Sequence, residues 1–122
     1  MSSSEQANRP WVLAEATYAQ TKQAAYEVAV LPLGATEPHN LHLPYGMDVF
    51  EATIIGEQIC ATAFAKGAKV VLLPTIPYGT ETNMRALPLA MNLNPSTLYQ
   101  VVTDLVESLV TSGIHKIMLL NA

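Results

Sequence analysis

The sequence predicts an α/β fold, a parallel β-sheet with flanking helices in the order strand, helix, strand, helix, strand. Three observations carry this prediction. The runs Val28–Leu33, Lys69–Leu73 and Ile114–Leu120 are short and almost continuously apolar, as strands covered on both faces must be. Two segments with helical start and stop signals separate them. Parallel neighbours need connections of this length, and the strand twist makes such crossovers right-handed.

The opening residues, Met1 to Pro10, are polar, and residues 1–12 are expected to form a flexible tail ahead of a single α/β domain that takes up the rest of the 122 residues. Residues 17–27 tolerate helix. The first strand, Val28–Leu33, stops at Gly34, after which Ala35 to Met47 is polar and rich in Pro and His. Asp48, with Glu51 three residues later, suits a capping box that starts a helix over Val49–Lys66, and Gly67 supplies the stop. Pro74 closes the second strand. From Pro74 to Leu93 the spacing of Pro74, Pro77, Gly79 and Pro88 argues against regular structure, and loops this long usually carry function. Asn94 and Pro95 form an N-cap with Pro at the first helical position, and Leu98, Val101, Val102, Leu105 and Leu109 share one face of the helix that follows, ending near Gly113. No internal repeat or low-complexity run is present.

Composition excludes several classes of function. Half of the residues are hydrophobic and 13% are charged, far from the composition of a disordered chain. Six cationic residues against ten acidic ones give a net charge of −4, and the cations are scattered singly, so no patch exists to bind nucleic acid. No apolar run reaches the length of a membrane span. The single cysteine, Cys60, can close no intramolecular disulfide, and a reducing, cytoplasmic setting is expected. Cys60 itself reads as a buried small hydrophobe among Ile54, Ile55, Ile59 and Phe64.

Ligands of parallel sheets gather beyond the carboxyl ends of the strands. The segments there are residues 35–47, residues 74–93 and Asn121 onward. The first holds two of the three histidines, and with Asp48 it places two His and two carboxylates within twelve residues. Pro38 biases Glu37 toward an extended conformation in which residues two apart face the same way, so Glu37 and His39 can address one centre and Asp48 can join them. Imidazole nitrogen with carboxylate oxygens suits zinc or manganese. Each residue also has an ordinary reading: Asp48 as a helix cap, His39 and His42 as backbone partners in a loop, Glu37 as a solvated carboxylate.

The run Leu33-Gly34-Ala35-Thr36-Glu37-Pro38-His39, followed by His42-Leu43-Pro44-Tyr45-Gly46-Met47-Asp48, resembles the signature of the creatininase (creatinine amidohydrolase) family. That pattern typically reads Gly-Ser/Thr-Thr-Glu-Gln-His-Gly-x-His-Leu-Pro-x-Gly-Thr-Asp. The resemblance continues through Leu73-Pro74, Pro77-Tyr78-Gly79, Pro88, Asn94-Pro95 and the Leu-Leu-Asn at Asn121. It implies a metal-dependent hydrolase, often hexameric, that opens a cyclic amide or related carbonyl–nitrogen bond with a metal-activated water. By matching position it implies that Glu37 and His39 each bind one of two divalent ions, zinc or manganese, that Asp48 bridges both, and that His42 is a catalytic residue beside the ligands. This chain departs from the pattern at Pro38 for Gln and Asn40 for Gly. Met84 stands four residues before Pro88 where His is common, and Leu89-Ala90 replaces Gly-Thr. It resembles the N-terminal half of such an enzyme, since the family continues past the Leu-Leu-Asn into a Gly-His motif that holds a further ligand.

In the second loop Tyr78 shapes the expected pocket, while Glu81, Asn83 and Arg85 are candidates to contact a small polar amide substrate. His115, at the opposite end of the third strand, is expected to be structural. A non-catalytic chain acting in assembly or binding is the alternative function. A three-stranded parallel sheet with two strong helices is expected to be unfinished, so a homo-oligomer or a complementary chain is the expected partner.

Overall fold

A computed structural model describes residues 9–121, and the expected tail over residues 1–8 lies outside the described residues. After a short 3₁₀ turn at Leu13–Glu15 the order is α1 (Tyr18–Ala24), β1 (Val28–Leu33), α2 (Met47–Ala65), β2 (Val70–Leu72), α3 (Pro95–Thr111) and β3 (Lys116–Asn121). The three strands form one parallel sheet in the order β2-β1-β3, in register from Val28 opposite Val70 and Lys116. The predicted α/β architecture is therefore the observed one.

β1 is central. Ala29, Val30, Leu31 and Pro32 are buried, and β2 is buried at each of its three residues. One face packs Val30, Val70 and Leu72 with Cys60 of α2 and with Trp11 and Val12. The other packs Ala29, Val71 and Ile114 against Tyr26, Leu73 and Leu109.

Trp11 and Val12, placed in a tail by their polar neighbours, are instead part of the core. The Leu72 N–H donates to the Trp11 carbonyl at 2.7 Å and Val12 pairs with Leu72, so this segment covers the outer edge of β2. Arg9 anchors it through ion pairs to Glu15 and Glu57 and lies 5.3 Å over the Trp11 ring.

α2 buries Ala52, Gly56 and Cys60, spaced four apart on one face. This stripe is made of small side chains, so the helix lies close to the sheet: a Cβ on Gly56 would stand 3.0 Å from Leu72 and 3.2 Å from Pro32. Cys60 is buried as expected, while its larger sequence neighbours Ile54, Ile59 and Phe64 are exposed. Burial pushes the Cys60 thiol up to about 11, so it is inert at neutral pH.

The capping-box expectation for α2 is corrected. The helix starts at Met47 with Gly46 as its N-cap and no side-chain cap, because Asp48 is already in the first turn and its carboxylate faces the preceding loop. α3 starts as expected at Asn94-Pro95, with Asn94 supplying no side-chain bond. None of its residues is buried.

The tightest point of the fold is Gly34, where β1 ends. A Cβ there would meet Val49 at 2.8 Å from Cγ2 and 2.9 Å from Cα, and the backbone atom cannot swing aside. We therefore expect Gly34→Ala to push α2 outward and to destabilise the chain by about 1–3 kcal/mol, the usual cost of overpacking. Urea unfolding measures this, and an unchanged midpoint would contradict the close approach.

Candidate metal centre

The loop after β1 is shaped by a few specific bonds. The Gly34 N–H donates to the Ile76 carbonyl at 2.8 Å, and the Thr36 hydroxyl donates to the Pro77 carbonyl at 2.7 Å, so the loops following β1 and β2 run side by side. Pro38 disfavours a helical conformation at Glu37, and the Glu37 N–H donates to the Tyr45 carbonyl at 3.3 Å. His39 pairs with Leu43 to close a tight excursion whose apex, Asn40, has a left-handed φ of 61°. The Tyr45 hydroxyl donates to the Pro88 carbonyl at 2.7 Å and ties this excursion to the second loop.

Closure of the excursion returns the chain to α2 so that Asp48 arrives beside Glu37 and His39. One ligand atom from each of the three lies within 4.8 Å of the others. His39 Nε2 stands 3.4 Å from Asp48 Oδ2 and 3.9 Å from Glu37 Oε1. It is shielded from solvent yet has no hydrogen-bond partner. An imidazole nitrogen left unbonded between two carboxylates, with the donor atoms converging on one point, fits a divalent cation of the zinc or manganese type.

The electrostatics show what the arrangement costs without a cation. Burial raises the Glu37 carboxyl above its ordinary range, a hydrogen bond with Asp48 raises it further, and the charges of Glu81 and Asp48 add to this against His39. Glu81 is also raised, first by burial and then by the charge of Asp48, while the Thr36 backbone N–H and His39 oppose the shift.

The other sequence candidates are distributed unevenly. Glu81, expected on a solvated loop, is 1% exposed, and neither carboxylate oxygen has a partner at hydrogen-bond geometry. Its backbone is held by Asn92, whose Oδ1 accepts from the Glu81 N–H at 2.6 Å. Sequence reasoning missed Asn92, because nothing local marks an Asn eleven residues away as the anchor. Arg85 and Asn83 are exposed beside a 3₁₀ turn at Thr82–Met84. His42 is exposed and outside the converging group, and His115 is exposed just ahead of β3.

Tyr78 and Asp48 line a cleft of about 260 Å³ together with Gly34, Gly79, Leu98 and Asn121. The cleft lies beyond the carboxyl ends of β1 and β3, where the strand order reverses and where ligands of such sheets bind. A larger groove of about 440 Å³ between α1 and α3, lined by Tyr18, Tyr26 and Leu109 among others, presents no carboxylate, imidazole or thiol.

A three-ligand oxygen and nitrogen cluster at the end of a parallel sheet defines a candidate metal-dependent enzyme site, and the comparisons give its family. The sequence profile of the creatininase family, creatinine amidohydrolase, matches residues 14–122, and the chain belongs to that family. It is 25% identical over 99 residues to the creatinine amidohydrolase of Pseudomonas putida, covering 77% of this chain and 36% of that protein. The structure resembles that of a Bacteroides fragilis protein assigned as a creatinine amidohydrolase, with a TM-score of 0.81, 31% identity, and coverage of 93% of this chain and 46% of that one. It also resembles a mutant creatininase in a zinc–zinc form, with a TM-score of 0.77, 25% identity, and coverage of 90% and 44%. The chain thus spans less than half the length of these relatives.

The raised carboxyls set a pH dependence. A carboxyl whose folded pKa is raised binds its proton more tightly in the folded state. Its contribution to stability is full below the unfolded value of about 4.5 and is lost as pH rises through the folded value. Chelator-treated protein should therefore lose stability as pH rises from about 4.5 toward neutral, and Glu81→Gln should flatten that loss. Thermal melts across this range check it, and a wild-type profile matching Glu81→Gln would contradict the assignment.

Proposed function

We propose that this chain carries part of the metal centre of a metal-dependent amidohydrolase that hydrolyses a cyclic amide or related carbonyl–nitrogen bond. The observation that supports it most directly is the convergence of Glu37, His39 and Asp48, with His39 Nε2 buried and unbonded among them. In this reading Glu37, His39 and Asp48 would together hold divalent zinc or manganese. A bound ion of this kind polarises a carbonyl and lowers the pKa of a bound water.

The chain's own residues supply position and polarity. Tyr78 and Asp48 wall the cleft that takes the small polar amide, and Arg85, exposed on the second loop, is assigned to contact that substrate. His42, exposed three residues beyond His39 on the same loop, is assigned proton transfer. No described helix is long and apolar enough to cross a membrane. The lone buried thiol fits a reducing, cytoplasmic setting.

Titration calorimetry of chelator-stripped chain with zinc and with manganese tests the metal reading. We expect saturable binding that His39→Ala weakens by more than the roughly 10–100-fold typical for loss of an outer-shell partner. Unchanged binding in His39→Ala would overturn it.

Assembly is the second part of the reading, and a specific observation favours it. Among the described residues nothing pairs with the outer edge of β3, where Met118 and Leu119 are 45% and 49% exposed. Tyr99, Leu105 and Val110 of α3 are exposed as well. An open apolar edge is a template for pairing with another copy or a complementary chain. Light scattering is expected to report a species larger than the 13.2 kDa chain, and a monodisperse monomer would count against assembly.

A further inference from the structure

Resting on the metal reading above, we propose that Tyr45 is a positioning residue for that centre, holding the backbone of Glu37 against the start of α2 and bracing both from the second loop. Tyr45 stands between Pro44 and Gly46, at the position the creatininase pattern leaves open, so the signature gives it no role.

The first observation is that one residue makes both connections. The Tyr45 carbonyl accepts from the Glu37 N–H at 3.3 Å, and its hydroxyl donates to the Pro88 carbonyl at 2.7 Å. Tyr45 also precedes Gly46, the N-cap of α2, and Asp48 lies in the first turn of that helix. The helix start is pinned at the same point: the Phe50 N–H donates to the Gly46 carbonyl at 2.8 Å, and a Cβ on Gly46 would stand 2.8 Å from the Phe50 ring. Tyr45 thus joins the segment that carries Glu37 to the helix that carries Asp48.

The second is that these bonds close a circuit. Three residues beyond Pro88, the Met91 N–H donates to the Thr36 carbonyl at 3.1 Å. Thr36 adjoins Glu37, and Glu37 bonds back to Tyr45. The backbone of Glu37 is therefore held from both sides by one ring of contacts, and the Tyr45 hydroxyl is its side-chain link. A ligand set works only when its members are kept within about 0.5 Å of the productive geometry, and such a ring restricts that movement.

The third is that the far side of the circuit is stiff. The Leu87 N–H donates to the Met84 carbonyl at 3.0 Å and the Ala90 N–H to the Leu87 carbonyl at 3.3 Å, so Pro88 sits within successive turns. Leu89 holds a left-handed φ of 55° with its side chain 75% exposed. A conformation of this kind persists where its surroundings over-determine it. The Tyr45 bond to Pro88 and the Met91 bond to Thr36 flank Leu89 on its two sides.

The test is metal binding, with spectroscopy as a readout separate from activity. Tyr45→Phe keeps the ring and removes the hydroxyl. Tyr26→Phe is its matched control, because the Tyr26 hydroxyl likewise donates to a proline carbonyl, that of Pro10 at 2.8 Å, ahead of β1 at the end of the sheet opposite the site. Chelator-stripped wild type, both variants and His39→Ala are each titrated with zinc by calorimetry and with cobalt(II) by visible absorption, after melts confirm that each folds. We expect Tyr45→Phe to weaken binding by about two- to tenfold, the worth of one hydrogen bond, and to alter the cobalt spectrum, while Tyr26→Phe matches wild type in both. Wild-type affinity and spectrum in Tyr45→Phe, with binding still lost in His39→Ala, would overturn the Tyr45 assignment and leave the three-ligand centre standing. Equal weakening in Tyr26→Phe would overturn it too, by showing a general loss of stability. Failure of the wild-type chain to bind either metal would overturn both readings.

Discussion

The close approach of β1 to α2 at Gly34 is the constraint on which the site depends. The strand must turn directly beneath Val49, whose Cα would stand 2.9 Å from any added Cβ, so the chain leaves the sheet with the helix already overhead. That contact fixes where the helix begins, and Asp48 is one residue before Val49. The intervening loop must therefore close on itself through the His39–Leu43 pairing and the Glu37 to Tyr45 bond. Glu37 and His39 are then held on the side that Asp48 faces. The second loop repeats the logic one layer out, with Gly79 lying against the Gly34 carbonyl and carrying Glu81 in behind it.

What this geometry concentrates is negative charge in a place partly closed to water. Burial and neighbouring charge raise both Glu37 and Glu81, opposed by one imidazole and one backbone N–H. A fold optimised for its own stability would place a Lys or Arg here, or open the loops to solvent. Among the described residues Arg9 pairs with Glu15 and Glu57 and Lys69 with Glu27, and no Lys or Arg forms an ion pair with Glu37, Asp48 or Glu81. Local instability of this kind is characteristic of sites arranged around a ligand, where the missing interaction is supplied on binding.

The parts of this arrangement that were legible in the sequence share a cause. β1 falls on Val28–Leu33 as read, because burial on both faces writes itself as a continuous apolar run. The convergence of Glu37 and His39 was readable because Pro38 constrains the backbone locally. The misreadings arise where tertiary contacts override local pattern. Asp48 and Glu51 have the spacing of a capping box, yet the Asp48 carboxylate faces His39 and the helix begins before it. The face of α2 that packs on the sheet is Ala52, Gly56 and Cys60, invisible to a search for large apolar residues. Trp11 and Val12 gain their burial from the edge of β2, sixty residues away in sequence, and Glu81 gains its burial from Thr36 and Asn92.

Two of the positions at which this chain departs from the creatininase pattern share a backbone property that explains the pattern itself. Asn40 and Leu89 each stand where that pattern carries Gly, and each has a positive φ, 61° and 55°. The glycines are thus a requirement of the left-handed conformation. Asn meets it well, because its short polar side chain bonds locally, and here the Asn40 Oδ1 accepts from the Leu41 N–H at 2.8 Å. Leu has no such compensation and carries a conformational cost of roughly 1–2 kcal/mol at this φ. Its side chain is 75% exposed, so burial in the described chain does not offset that cost. Leu89 follows the proline whose carbonyl accepts the Tyr45 hydroxyl, at the seam between the two loops. The strain is stored where the second loop meets the loop of Glu37 and His39, which is where local strain in proteins concentrates when a site rather than the core dictates the backbone.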